Sequence, residues 1–204
     1  MPTLVAHPTE RNAVMTTSTP APTIAIADPS PVDRLLDASL LLAPLAYLVV
    51  DSCYAVRGWD DGMTAALHIV AAGLYGLAAL KLVSLTSGRT QAALLVIAVL
   101  GVIGNAGVGE NTLHIATGGN DLFDEHGPAN LFKAMGFFFP LTFLVTAVAL
   151  RRRTPAWWSP LLALGAVLFP AAHVTNTGWL AVTDAVVMLL ALGACARVID
   201  DPQD

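Results

Sequence analysis

Six apolar segments of similar length follow one another through this chain, and they restrict its fold more than any other feature. They run over Leu35–Val56, Met63–Leu85, Gln91–His114, Asn130–Leu150, Ala156–His173 and Trp179–Val198. About 20 apolar residues in a helix cross the hydrocarbon core of a bilayer, and a helix satisfies its own backbone polar groups there. The pattern predicts an all-α fold, a polytopic transmembrane helix bundle with six spans.

The composition excludes the main alternatives to a membrane protein. Hydrophobic residues make up 55% of the chain, charged residues only 12%, and the mean hydropathy is +0.67. A soluble domain carries about 25% charged residues. The 10 basic and 15 acidic residues leave a net charge of −5, which argues against a nucleic-acid partner. We therefore expect the lipid bilayer to surround most of the chain.

The two ends of the chain differ from the apolar segments. Residues 1–32 are rich in Pro, Thr and Ala and have no helical or strand period, which predicts a disordered cytoplasmic tail. Residues 33–198 form the predicted six-helix domain, and residues 199–204 form a short acidic tail. The first residues lack a basic stretch followed by an apolar one, so we expect no cleavable signal peptide.

The basic residues predict the orientation. Eight of them fall on one side of the predicted bundle and two on the other: Arg11, Arg34, Lys81, Arg89, Arg151, Arg152, Arg153 and Arg197 against Arg57 and Lys133. The positive-inside rule then places both termini in the cytoplasm. Trp157 and Trp158 fall at the predicted inner interface, and Trp59 and Trp179 at the outer one. We expect a multi-pass protein of a bacterial-type plasma membrane.

Ionisable residues inside the predicted spans gather in the outer half of the bundle. The candidates for binding a ligand or metal are Asp51, His68, Glu110, His114, His173 and Asp184. Because ionisable groups are costly in a membrane, each is a functional hypothesis. Glu125, His126 and Lys133 are secondary candidates beside them. Together they predict a polar cavity lined by His and carboxylate groups, which would bind a small-molecule or lipid-soluble ligand from the outer side.

Helical spacing adds detail to this prediction. Glu110 and His114 are i,i+4 neighbours and could share a metal ion or a proton. Pro140 and Pro170 each free a backbone carbonyl and bend their helices. Four glycines, at positions 101, 104, 107 and 109, let the third helix approach its neighbours closely. For four other polar residues we expect hydrogen bonds between helices: Asp37, Tyr47, Asn105 and Asn111.

The chemistry of the predicted cavity stays open at this point. A divalent metal would take ligands from His68, Glu110, His114 and His173, with Asp51 or Asp184 beside them. The same cluster could serve a membrane-embedded enzyme by metal-assisted or acid–base chemistry. A b-type haem would lie between His68 and either His114 or His173. Transport, ligand sensing, and a structural or accessory subunit without ligand are the remaining alternatives.

Overall fold

The computed structural model describes residues 28–199, and side chains up to residue 195. Over this range the chain forms helices joined by turns and loops, and no strand. The helices are α1 (Pro31–Arg57), α2 (Gly62–Ser84), α3 (Gly88–Ala116), α4 (Asn130–Gly136), α5 (Phe138–Leu150), α6 (Trp158–Val174) and α7 (Gly178–Ile199). Nearly all of the two predicted tails, residues 1–32 and 199–204, lies outside the described range.

Five helical segments are long and apolar enough to cross a membrane. They are α1, α2, α3, Asn130–Leu150 and the Gly178–Cys195 part of α7. The apolar helix α6 has 17 residues, which corresponds to about 25 Å. Large apolar side chains such as Val70, Val148 and Leu190 are exposed on the outward helix faces. Exposed apolar surface of this extent suits lipid rather than water, so the helices are consistent with an integral membrane protein.

The helices pack as a closed ring. α1 packs against α2, α2 against α3, α3 against α4 and α5, α5 against α6, and α6 against α7. α7 then packs against α1, which closes the ring. We call the end that carries residues 58–61, 117–129 and 175–177 the loop end. At the opposite end, Lys81 Nζ lies 2.5 Å from Asp37 Oδ1 and links α2 to α1.

Local capping fixes where the first two helices begin. Ser30 and Asp33 form a capping box, so α1 begins at Pro31, four residues before the predicted Leu35. Asp61 caps α2 by accepting hydrogen bonds from Thr64 Oγ1 at 2.5 Å and from Thr64 N at 2.9 Å. These two bonds hold the pKa of Asp61 below its usual value. The cap therefore fixes the short turn that carries Trp59 at the loop end.

The fourth predicted span, Asn130–Leu150, is long and apolar enough to cross a membrane, but its helix is interrupted at one residue. α4 ends at Gly136 and α5 begins at Phe138, so Phe137 separates two helices where we predicted one. Pro140 explains the break, because it has no N–H to donate to the carbonyl of Gly136 and its ring crowds that carbonyl. Pro170 has a weaker effect, since α6 continues through it to Val174. The break places Phe137 and Pro140 beside α3.

Glycines bring α3 into backbone contact with the broken helix. A Cβ built at Gly101 would lie only 2.6 Å from the Phe139 nitrogen, and one at Gly104 would overlap the backbone of Met135 and Gly136. Only glycine allows this approach. The predicted close packing of the third helix is therefore present in the fold.

We predict that Gly101→Ala lowers the free energy of unfolding by about 1–3 kcal/mol, because the new methyl group forces α3 away from α5. The matched control is Gly73→Ala, since a Cβ at Gly73 has nothing within 4 Å. That control should be neutral or up to about 1 kcal/mol stabilising. Reversible unfolding in mixed detergent micelles measures both. Equal effects of the two substitutions would contradict the packing described here.

Candidate functional site

Four of the six primary candidate residues are buried inside the bundle, and three of them lie close together. Asp51 on α1, His68 on α2 and Asp184 on α7 have exposed fractions of 0%, 1% and 2%, and the His173 side chain on α6 is 10% exposed. His173 Nε2 lies 3.6 Å from Asp51 Oδ1. The ring centroids of His68 and His173 are 6.3 Å apart, and Asp184 is buried on α7 next to Gly165 of α6. We call these four residues the buried cluster.

His173 is held in one orientation by its own helix and by two aromatic rings. Its Nδ1 donates a hydrogen bond to the Phe169 carbonyl at 2.9 Å. Its ring stacks on Phe169 at 4.1 Å and meets Trp59 edge-on at 5.3 Å between centroids. Since a carbonyl only accepts, Nδ1 carries a proton and Nε2 is left to face Asp51. The Nε2–Oδ1 separation of 3.6 Å is longer than a hydrogen bond.

The two carboxylates of the cluster are poorly satisfied. Both oxygens of Asp51, and Oδ1 of Asp184, are buried without a hydrogen-bond partner among the described residues. An isolated carboxylate in an apolar interior is costly unless a proton or a positive neighbour compensates it. Within the described range, His173 is the basic side chain within 4 Å of Asp51. This pair is the least satisfied part of the bundle interior.

His68 joins a hydrogen-bond network through Nε2, whereas its Nδ1 is buried without a partner among the described residues. Its Nε2 lies 3.2 Å from both the backbone oxygen and Oδ1 of Asn105, and 3.1 Å from the Tyr47 hydroxyl. The Asn105 amide in turn donates to that hydroxyl. Because the Asn105 carbonyl only accepts, Nε2 of His68 carries the proton. The network joins α1, α2 and α3, as expected from the sequence for Tyr47 and Asn105.

A cleft of about 390 Å³ lies at the loop end and reaches the buried cluster. His173 and Asn105 form part of its wall. Its aromatic lining is Trp59, Phe123, Phe137 and Phe169, and its charged lining is Asp60, Asp121, Asp124 and Lys133. The cleft therefore combines aromatic faces with an excess of acidic groups next to the Asp51–His173 pair.

The loop of residues 117–129 is tied down beside this cleft. Asn111 donates to Asp121 Oδ1 at 3.0 Å and accepts from Leu122 N at 2.8 Å, so it ties α3 to this loop and not, as predicted, to another helix. Glu125 accepts from Asn120 at 2.9 Å through Oε1, and its backbone oxygen also accepts a bond within the loop. Glu125 and His126 are exposed and do not line the cleft. Of the secondary candidates, Lys133 lines it.

Glu110 and His114 do not join the buried cluster. Both are exposed on α3, and neither lines the cleft. Among the described residues, no group of three or more His, Cys, Asp or Glu side chains could hold a metal ion. The metal site predicted from His68, Glu110, His114 and His173 is therefore not supported by the arrangement of these side chains.

The arrangement of the histidines does not suit haem either. His68 and His173 meet edge to face, with their rings inclined at 82°, which leaves no gap for a porphyrin. His68 Nε2 is already in contact with the oxygens of Asn105. His114, the other predicted axial ligand, is exposed.

Two aromatic residues of the site were not selected from the sequence as site residues. Trp59 packs on Tyr54 with 4.7 Å between centroids and meets His173 edge-on, whereas the sequence suggested only an interfacial position. Phe169 stacks on His173. The signal for Phe169 was present, because it precedes His173 by four residues and so shares its helix face.

We predict that Tyr47→Phe and Asn105→Leu each destabilise the protein, and that their effects do not add. Each change removes a partner of the Asn105–Tyr47 hydrogen bond, so the double variant loses that bond only once. The coupling free energy should be about 0.6–1.7 kcal/mol, as for hydrogen bonds between membrane helices. Unfolding of the wild type, both single variants and the double variant measures it, and strict additivity would rule the network out.

Comparison of the chain with protein-family models, with curated proteins and with solved structures finds no match. The functional argument therefore rests on the geometry of the cleft and of the buried cluster.

Proposed function

We propose that this chain is a six-span membrane protein that binds a small ligand in the cleft at its loop end. The observation that carries the proposal is the position of His173. This residue lines the cleft, and its Nε2 faces Asp51, which is fully buried. Ligand pockets combine apolar and aromatic walls with a few convergent polar groups in volumes of about 300–1,000 Å³. The cleft meets this description with a volume of about 390 Å³.

The ring of helices supports six spans. α6 lies between α5 and α7, and residues 175–177 alone connect it to α7. Such a short connection makes α6 and α7 antiparallel neighbours. Because α7 is long enough to span, we infer that α6 crosses beside it. An even number of spans puts both termini on one side, and the basic residues make that side cytoplasmic. The loop end then faces outward from a bacterial-type plasma membrane.

The orientation of His173 favours binding over catalysis. An acid–base enzyme needs a nitrogen or carboxyl group that reaches its substrate. Here Nδ1 donates to the Phe169 carbonyl and Nε2 faces Asp51, so both ring nitrogens are turned toward protein atoms. The imidazole ring of His173 therefore suits a role in the cleft wall, where it would help to position a ligand and to select for the ligand's charge. A purely structural subunit would have no need of a cleft ending at an unsatisfied pair.

We predict that residues at the two ends of α6 lie on opposite sides of the membrane. Ala156→Cys and Val174→Cys place single thiols at exposed positions in a chain whose native Cys53 and Cys195 are replaced by Ala. A membrane-impermeant maleimide should label Val174→Cys in intact cells, and Ala156→Cys only after permeabilisation. Labelling of both from the same side would mean that α6 does not cross, and the reverse pattern would invert the orientation.

We predict that ligand binding depends on His173. A panel of small organic cations, carboxylates and uncharged lipophilic compounds is tested by thermal unfolding of the purified protein. A ligand at about 100 times its Kd should raise Tm by about 5–10 °C. His173→Phe keeps the ring stacked on Phe169 but removes the Nε2 that faces Asp51. Because this changes the electrostatic field of the cleft wall, the shift should be clearly smaller in the variant.

The matched control for this experiment is His114→Phe, because His114 is exposed and lies outside the cleft. It should respond to the ligand as the wild type does. If every compound in the panel shifts the wild type and His173→Phe equally, the cleft is not the binding site and the proposal fails.

A further inference from the structure

We propose that the ligand of this cleft is a small organic cation, such as an alkylated ammonium group. The inference rests on the proposed function and names its ligand class. It follows from three observations: acidic side chains exceed basic ones in the lining, aromatic rings form much of the wall, and a buried carboxylate without a hydrogen bond lies behind His173.

The charged lining is acidic. Asp60, Asp121 and Asp124 line the cleft against Lys133 as the basic residue. Lys133 Nζ lies 4.0 Å from Asp124 Oδ1, so these two charges offset each other. Asp60 and Asp121 then leave a negative potential, which the low-dielectric walls of a cleft in a membrane protein strengthen. This potential attracts cations and repels anions.

The aromatic lining suits a cation that carries apolar groups. Trp59, Phe137 and Phe169 line the cleft, and Phe137 is 56% exposed. The faces of aromatic rings attract ammonium groups, and tryptophan does so most strongly. Aromatic rings also pack well against alkyl substituents, and a small inorganic ion has no such groups. The wall therefore selects for both charge and apolar surface.

The buried cluster adds a second, independent reason. His173 lines the cleft with a side chain that is only 10% exposed, and its Nε2 has no hydrogen-bond partner among the described residues. Behind it, both oxygens of Asp51 are equally unsatisfied. A positive charge in the cleft would stabilise this carboxylate through space.

A metal ion is a poorer candidate for that charge. A divalent ion needs several ligands arranged around it. In the part of the chain that the structure describes, no three His, Cys, Asp or Glu side chains converge to hold a metal. An organic cation has no such requirement, because its charge is spread over a larger surface.

The test compares two probes of the same shape that differ in charge. Choline carries a trimethylammonium group, and 3,3-dimethylbutan-1-ol replaces its nitrogen by carbon. Binding to the full-length protein in nanodiscs is measured by saturation-transfer NMR, with empty nanodiscs as background. We expect choline to bind at least about tenfold more tightly than the alcohol.

Two variants of the cleft should reduce this preference. Trp59→Leu removes an aromatic face and should weaken choline binding about fivefold or more, with less effect on the alcohol. Asp60→Asn removes one exposed carboxylate and should weaken choline binding by roughly threefold. Glu110→Gln changes the net charge by the same amount at an exposed position outside the cleft. It should leave the affinity for choline unchanged.

The outcomes separate this inference from the proposed function. Equal affinity for choline and the alcohol would overturn the cation inference while the cleft remained a binding site. The cation inference also fails, and the cleft remains a binding site, if neither probe binds but compounds of another class give a shift in Tm that depends on His173. If Glu110→Gln weakens the binding of choline as much as Asp60→Asn does, the attraction is a general effect of net charge and the inference fails. Without any ligand that depends on His173, both proposals fail.

Discussion

The close approach of α3 to the broken helix α4–α5 is the constraint on which the rest of the fold depends. Gly101 and Gly104 let the two backbones touch, and a side chain at either position would separate them. Asn105 follows Gly104 directly, so the same contact places its amide between Tyr47 and His68. Across the contact, the break at Phe137 supplies one wall of the cleft. Helix packing and the candidate site therefore cannot vary independently.

Polar groups are buried in two different ways in this bundle. The Tyr47–His68–Asn105 network joins three helices by hydrogen bonds, although His68 Nδ1 has no partner among the described residues. By contrast, the carboxylates of Asp51 and Asp184 carry buried oxygens without hydrogen-bond partners. His173, which faces Asp51, lines the cleft, where an added positive charge could compensate this carboxylate.

Hydropathy was sufficient to place the helices, whereas it could not determine which way their side chains face. Most helix ends fall within a few residues of the prediction, because a bilayer imposes a minimum length on each span. Glu110 and His114 were predicted to join the site, yet both are exposed and neither lines the cleft. The facing of a helix depends on its neighbours, and the ring order that sets those neighbours comes from tertiary contacts.

The charges at the two ends of the bundle differ in a way that agrees with the proposed cationic ligand. At the end opposite the cleft, Asp37 is paired with Lys81, and Arg153 donates to the Leu85 carbonyl. At the loop end, Arg57 pairs with Asp61, yet the cleft keeps more carboxylates than cations. Acidic groups that were needed only for solubility would not have to line a cleft. Their position next to aromatic rings and to the buried Asp51–His173 pair is what a site selective for a cation requires.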